Sequence, residues 1–441
     1  MNLLWVDSLC IIQDDPEELD LEIANMAAYY KNAQLTIVAA VSPSCNHGFL
    51  APSNDTHGPK GFEFLLSADN ITDTGRIRLS SLGGVSEEVI DTRAWTLQEG
   101  LLSTRVASFG KEIISWSCLS SDYGRAYIGE LRKALRDSRS WSKITIRDWR
   151  DVPERHSYPS YWASLGSHYH DAWHEIICRY CDRHLSVEAD GLVAISGIAS
   201  EFSFSLWPID IPGTPSELSE LSSSHKKTSR PNYVAGLWDS AHLPLQLLWR
   251  PRLSGPRQHS SVYVAPSWSW ASARAPLCRD EKTHKVWLTN AEASVFKVLR
   301  YELALRNESA PFGALTSGSM LVRGLSCTTN ISSILRYDRG TIQITLDTGA
   351  DSSGRWGRGL LKELPPEQRE APITLLEIVS LQPQVSTKER DDIMDYPRGL
   401  VLAGTDDGNY RRIGLCYYTG AASKGKGTNG DPWEMRTFTL V

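Results

Sequence analysis

No run of about 18 uncharged apolar residues occurs in the 441-residue chain, so the sequence offers no membrane-spanning helix. The N-terminus does not resemble a secretory leader, because no basic segment precedes the first apolar run and Asp7 interrupts it, so none is expected. There is no Gly-rich phosphate loop, no Gly-x-Ser-x-Gly elbow and no His-Glu-x-x-His pair, which removes P-loop, α/β-hydrolase and zincin chemistry from consideration. Positive charge is not in excess. Lys and Arg number 46 against 52 Asp and Glu, and the net charge of −6 gives no electrostatic reason to expect nucleic acid or an anionic membrane as partner. No internal repeat stands out.

Without a leader, the eight cysteines (Cys10, Cys45, Cys118, Cys178, Cys181, Cys278, Cys327 and Cys416) read as free, buried thiols, not as a disulfide framework. The four Asn-x-Ser/Thr triplets at Asn54, Asn70, Asn307 and Asn330 carry little weight for the same reason. A cytoplasmic protein is expected. What the chain does have in number is tryptophan, with 15 residues, and side chains of that size usually serve the core.

In chain order, residues 3–12 read as a buried strand that breaks into an acidic turn. Asp15 suits an N-cap, Pro16 the first helical position and Glu18 a capping box. Leu19, Ile23, Met26 and Tyr30 then form one apolar helical stripe. Ala33 to Val41 suits a second buried strand, so strand, helix and strand predict a βαβ unit with parallel strands. Residues 42–62 read as loop, Gly75 to Leu79 as a weaker strand and Asp91 to Leu102 as a short helix. Thr104 to Phe109 and Glu112 to Cys118, joined at Gly110-Lys111, predict a hairpin.

The fold class expected is α/β with a mostly parallel sheet over residues 1–135, a helical region over 136–281 and a β-rich module over 282–441. In the middle region Trp173, Ile177 and Tyr180 share a face, and Leu192, Ile195, Ala199 and Phe202 repeat the pattern. Residues 212–232 read as a mobile surface loop, and Pro266 to Ala271 alternates as a short strand would. The last region carries strand-like runs at Val286–Thr289, Met320–Leu325, Thr341–Leu346, Ile373–Leu381, Gly399–Ala403, Arg411–Tyr418 and Thr437–Val441, which predict a sandwich-like module.

Few residues point to chemistry. Trp95 and Glu99 are four apart and share a helical face. A carboxylate beside an indole is partly desolvated and suited to acid/base or cation-stabilising work, while a solvated Glu beside a core Trp is the plainer reading. Asp7 within an apolar strand requires a partner, for which Arg93 is a candidate. A purely structural ion pair or a backbone-bonded Asp serves equally well. Cys10 lies near the expected strand end, where α/β proteins place ligands, although a buried inert thiol is the better reading. Cys178-x-x-Cys181 with His184 is half of a zinc site lacking a second pair, so no metal is assigned.

Two blocks are more specific than any single residue. Leu4-Trp5-Val6-Asp7-Ser8-Leu9-Cys10-Ile11-Ile12-Gln13-Asp14-Asp15, followed by Met26, Tyr30 and Ala33, resembles part of the fungal heterokaryon incompatibility (HET) domain. Asp91-Thr92-Arg93-Ala94-Trp95-Thr96-Leu97-Gln98-Glu99-Gly100-Leu101-Leu102-Ser103 resembles that family's second motif, and together the blocks cover about residues 1–120. Looser similarity to the tails that follow HET domains runs through Asp190 to Ala199, Tyr233 to Trp238 and Pro266 to Ala271.

The resemblance implies fungal non-self recognition that ends in programmed cell death, with other incompatibility or signalling proteins, or further copies of the chain, as partners. HET domains are in turn similar to TIR domains, some of which cleave NAD. That implies a TIR-like fold, NAD as substrate with no resident cofactor, and Glu99 as the catalytic carboxylate that bonds the ribose hydroxyls. Asp7, Cys10, Gln13, Asp14, Arg93, Trp95 and Gln98 are the implied substrate-binding residues. The family begins with a further strand and helix upstream of Leu4, so the domain is read as truncated at its N-terminus. The alternatives are a non-catalytic, self-associating signalling module and an inactive fragment.

Overall fold

The computed structural model describes residues 3–50, 61–66, 75–80, 88–110, 114–118, 122–123, 173–205, 232–240, 242–252, 262–273, 275–277, 295–336, 342–347, 361, 364–379, 397–418 and 433–441. The chain divides into two units, one of residues 27–151 and the other of residues 1–26 with 152–441. Most of the expected 212–232 loop and the run Val286–Thr289 lie outside the described residues.

The opening apolar run is not a strand. Its backbone turns once as helix α1 (Asp7–Cys10), closed by the Cys10 N–H on the Val6 carbonyl at 2.8 Å and the Ile11 N–H on the Asp7 carbonyl at 3.0 Å. Leu3, Leu4 and Leu9 are 92, 79 and 83% exposed, and of the run Ile11 alone is buried. Periodicity cannot separate a continuous apolar run in a strand from one in a helical turn. A neighbouring ladder decides it, and among the described residues none pairs with 3–12.

The next helix begins as expected. In α2 (Pro16–Asn32) the Asp15 carboxylate accepts the Glu18 N–H at 3.2 Å and the Asp15 carbonyl accepts Leu19 N–H at 2.9 Å. Met26 is buried, with Leu19, Ile23 and Tyr30 half-buried along the same stripe.

The unit of residues 27–151 is built on a four-stranded sheet. β1 (Thr36–Val38) runs parallel to β4 (Arg105–Phe109), Ile37 opposite Ala107, and helix α3 (Trp95–Leu102) leads into β4. β5 (Ile114–Cys118) and β6 (Asp122–Tyr123) follow antiparallel, which gives the order β1-β4-β5-β6. A separate antiparallel pair joins β2 (Gly61–Leu66) to β3 (Gly75–Ser80). The expected hairpin is therefore present, and the mostly parallel sheet is not found among the described residues. A connection as short as residues 110–113 can only return a strand antiparallel, since parallel neighbours need a crossover of a dozen residues or more. The expected βαβ pair is likewise replaced, because the parallel partner of β1 is β4 and not residues 3–12.

The other unit contains an aromatic, partly helical region. Trp173, Ile177 and Tyr180 lie buried on one helical segment, and Leu192, Ile195, Ala199 and Phe202 are buried on the next stretch, which ends in α4 (Ser196–Ser205). β7 (Tyr233–Val234) and β8 (Leu237–Trp238) form a tight hairpin around Ala235 and Gly236. Both turn residues have positive φ, 49° and 93°, as a two-residue type I′ turn requires. A Cβ on Gly236 would lie 2.6 Å from the Trp270 indole nitrogen.

The turn carbonyls are bonded in turn. Gly236 O accepts indole N–H bonds from both Trp173 and Trp270, each at 2.9 Å, and Ala235 O accepts the Ser269 hydroxyl at 2.6 Å. Pro266 to Ala271 is consequently not a strand but a turn leading into a 3-10 segment at Trp270–Ser272. Its serine hydroxyls take the backbone bonds that a ladder would have used: Ser269 Oγ accepts from Ala271 N–H and Ser272 Oγ donates to Ser269 O.

The β-rich region is one seven-stranded sheet, not a sandwich. Its order is β11 (Ile342–Leu346), β14 (Tyr410–Tyr418), β13 (Gly399–Gly404), β12 (Ile373–Glu377), β10 (Leu315–Thr329) and β15 (Glu434–Leu440), with β9 (Lys297–Leu305) also on β10. β15 meets β14 again at Leu440 and Tyr410, so five strands close into a ring. Every residue of β12 is buried, which a two-layer sandwich with a wet outer face would not give. The apolar cluster of Ile331, Ile344, Ile373, Leu375, Val401 and Cys416 lies against it.

Arg412 of β14 ties this ring to the aromatic region. Its fully buried guanidinium bonds Asp347 at 2.9 and 3.2 Å, donates to the Leu247 and Trp249 carbonyls at 2.6 Å each, and stacks 3.3 Å from the Trp249 ring centre. No helix among the described residues is long and apolar enough to cross a membrane.

Two substitutions test this account. Arg412→Ala removes the guanidinium from beside a buried carboxylate and should cost about 3–5 kcal/mol, read as a lowered midpoint in urea. Gly236→Ala forces a methyl into the Trp270 indole and an unfavourable φ, and should cost about 1–3 kcal/mol by the same measurement.

Candidate functional site

The second motif forms helix α3, preceded by a 3-10 turn at Val89–Thr92. Both ends of the helix are fastened. The Thr96 hydroxyl lies 2.6 Å from the Ile90 carbonyl and 2.8 Å from that of Arg93, and the Ile90 N–H bonds the Ala40 carbonyl just past β1. At the other end the Ser103 hydroxyl donates to the Glu99 carbonyl at 2.6 Å and meets the Thr36 hydroxyl of β1 at 2.7 Å. The helix is thus mounted on the strand that pairs in parallel with β4.

Burial sorts the motif residues. Asp91, Thr96, Leu97 and Leu102 are buried, and Gln98 is only 1% exposed. Trp95 and Glu99 are half-buried on one helical face and Arg93 is exposed. Gln98, one of the expected substrate-binding residues, is buried in the packing of the unit.

The first motif presents its polar groups differently. Asp7, expected within a buried strand, is exposed on α1, where its Oδ1 accepts the Ser8 N–H at 2.7 Å. Cys10, expected to be buried, is exposed, its sulfur 3.5 Å from the Val6 nitrogen. Gln13 folds back, its amide donating to the Ile11 carbonyl at 3.0 Å and the Asp7 carbonyl at 3.4 Å. Asp14 is exposed. The common cause is that the chain curls into a turn, which sends these side chains outward around the one buried residue, Ile11. Asp7, Cys10, Gln13 and Asp14 belong to one unit of the chain, and Arg93, Trp95, Gln98 and Glu99 to the other.

Elsewhere the thiols are quiet. Burial pushes the Cys181 thiol well above its ordinary range, with Cys178 and Asp182 adding to it. Burial does the same to Cys416, Glu377 reinforcing and Arg398 opposing. Protonated thiols are poor nucleophiles and poor metal ligands, and among the described residues no group of three or more His, Cys, Asp or Glu is arranged to hold a metal ion.

Sequence reasoning missed Thr96 and Ser103 as fasteners of α3 and Arg412 as a buried cation. A signal existed for the last, since an arginine within the apolar run Tyr410–Tyr418 has to find a carboxylate.

The exposure pattern is directly measurable. Iodoacetamide applied to the native protein should label Cys10 and Cys45 and spare Cys178, Cys327 and Cys416, as read by peptide mass mapping. Protection of Cys10 would contradict its place on an exposed turn.

In comparison with known proteins, residues 1–99 match the family model described as Heterokaryon incompatibility protein (HET). The match covers the first motif and the second as far as Glu99. No curated protein and no solved structure matches the chain.

Proposed function

We propose that the heterokaryon incompatibility domain at residues 1–99 makes this chain an effector of fungal non-self recognition, one that triggers cell death by cleaving NAD. The observation that carries the reading is the pairing of Trp95 and Glu99 on one face of a helix fastened at both ends, within the stretch that matches the family. A half-buried carboxylate one helical turn from an indole suits the stabilisation of positive charge.

In the proposed reaction the bond between the ribose C1′ and the nicotinamide nitrogen breaks and its electron pair leaves with nicotinamide. Water adds at C1′ and releases a proton, giving ADP-ribose. Glu99 holds the ribose hydroxyls and offsets the oxocarbenium-like charge at C1′. Trp95 packs against the nicotinamide or ribose, and Arg93 attracts the pyrophosphate.

A second reading is a non-catalytic signalling module in which the motif serves the fold. The burial of Thr96, Leu97 and Gln98, with both helix ends bonded by motif hydroxyls, favours it.

One pair of assays separates the two. Purified protein incubated with NAD should release nicotinamide, and Glu99→Ala should lower the rate by about 100-fold or more, the scale for losing one preorganised stabiliser of transition-state charge. No release, or equal release from the variant, overturns NAD cleavage by Glu99. Cell killing that persists with Glu99→Ala then supports the module.

A further inference from the structure

Strand β9 pairs with β10 along one edge, and among the described residues no strand meets its other edge. The strand is nine residues long and is held firmly. The Tyr301 hydroxyl donates to Asp239 Oδ2 and accepts from Asn232 Nδ2, both at 2.9 Å, and the register on β10 is regular from Arg300 to Ala304. An edge of this length with no strand partner among the described residues is a template for another strand.

Charged side chains on an edge usually discourage such pairing. Here they have opposite signs and flank Tyr301 symmetrically. The side chains of Arg300 and Glu302 are 70 and 72% exposed and 3.9 Å apart. Read in the reverse direction, the strand is its own charge complement.

We propose that β9 is the pairing edge of a homodimer, with β9 of a second copy lying antiparallel against it about a two-fold axis at Tyr301. In that register Arg300 faces Glu302 of the second copy and Glu302 faces its Arg300, while Leu299, 49% exposed, faces Leu303. Centring the axis on Arg300 or on Glu302 would set like charges directly opposite one another, so charge selects the register as well as the partner. The proposal rests on the geometry of β9 and not on NAD cleavage, so either can fail without the other.

The test is sedimentation velocity on the full chain over a range of concentrations. A species of twice 49.1 kDa is expected to grow with concentration. By symmetry, Arg300→Glu or Glu302→Arg each turns two attractive pairs into two repulsive ones and should weaken association by about 30-fold. The doubly exchanged variant, R300E with E302R, should restore it. Circular dichroism checks that each surface variant keeps its fold. A monomer at every concentration, a dimer that the single reversals leave unchanged, or an exchanged variant that stays monomeric overturns the proposal.

Discussion

The carbonyl of Gly236 receives two indole donors, and the larger unit is organised around that fact. A carbonyl has two lone pairs, so Trp173 and Trp270 together satisfy it in a place where water is excluded. Three sequence segments far apart in the chain must meet for this to happen: the helical segment at Trp173, the hairpin at Ala235-Gly236 and the turn at Ser267–Trp270. Each of those tryptophans is nearly fully buried, and an indole N–H left without a partner there would cost about 1–3 kcal/mol. Apolar burial supplies most of the attraction, while the bonds to one carbonyl set which packing is allowed. Tyr180 extends the node by stacking on Trp270 and donating to the Gly191 carbonyl at 2.8 Å.

Arg412 applies the same logic with charge. Four hydrogen bonds from a rigid fork are distributed over the Asp347 carboxylate and two main-chain carbonyls, and the flat face lies on Trp249. Trp249 itself donates to the Trp268 carbonyl at 2.9 Å, which links the buried ion pair to the aromatic node. The closed strand ring and the aromatic region are therefore parts of one packed body. Replacing this arrangement with apolar side chains would remove a desolvation cost, but it would also remove the orientation that the fork imposes.

In the smaller unit the constraint is local. The motif around Trp95 contains enough hydroxyl and apolar groups to build, fasten and bury its own helix, while Trp95 and Glu99 stay half-buried and Arg93 exposed. A motif can thus be specific for a family because of what it does for the fold. That division is the reason two functional readings coexist for the same residues.

What could be read from the sequence was whatever depends on near neighbours. The cap at Asp15, the stripe from Leu19 to Tyr30, the buried faces at Trp173–Tyr180 and Leu192–Phe202, the Gly110-Lys111 hairpin and most strands after residue 315 follow from spacing and turn chemistry over a few residues. The match of residues 1–99 to the heterokaryon incompatibility model was legible too, because two long motifs stand in order. The strand expected at 3–12, the mostly parallel sheet and the sandwich were not, since each depends on which segment supplies the adjoining ladder. The same holds for Asp7, Cys10 and Gln98, whose burial or exposure is a property of packing and not of residue type. Arg412 and Gly236 show the limit most plainly: one residue names the need for a partner or a tight turn, and only the folded chain decides which distant groups meet it.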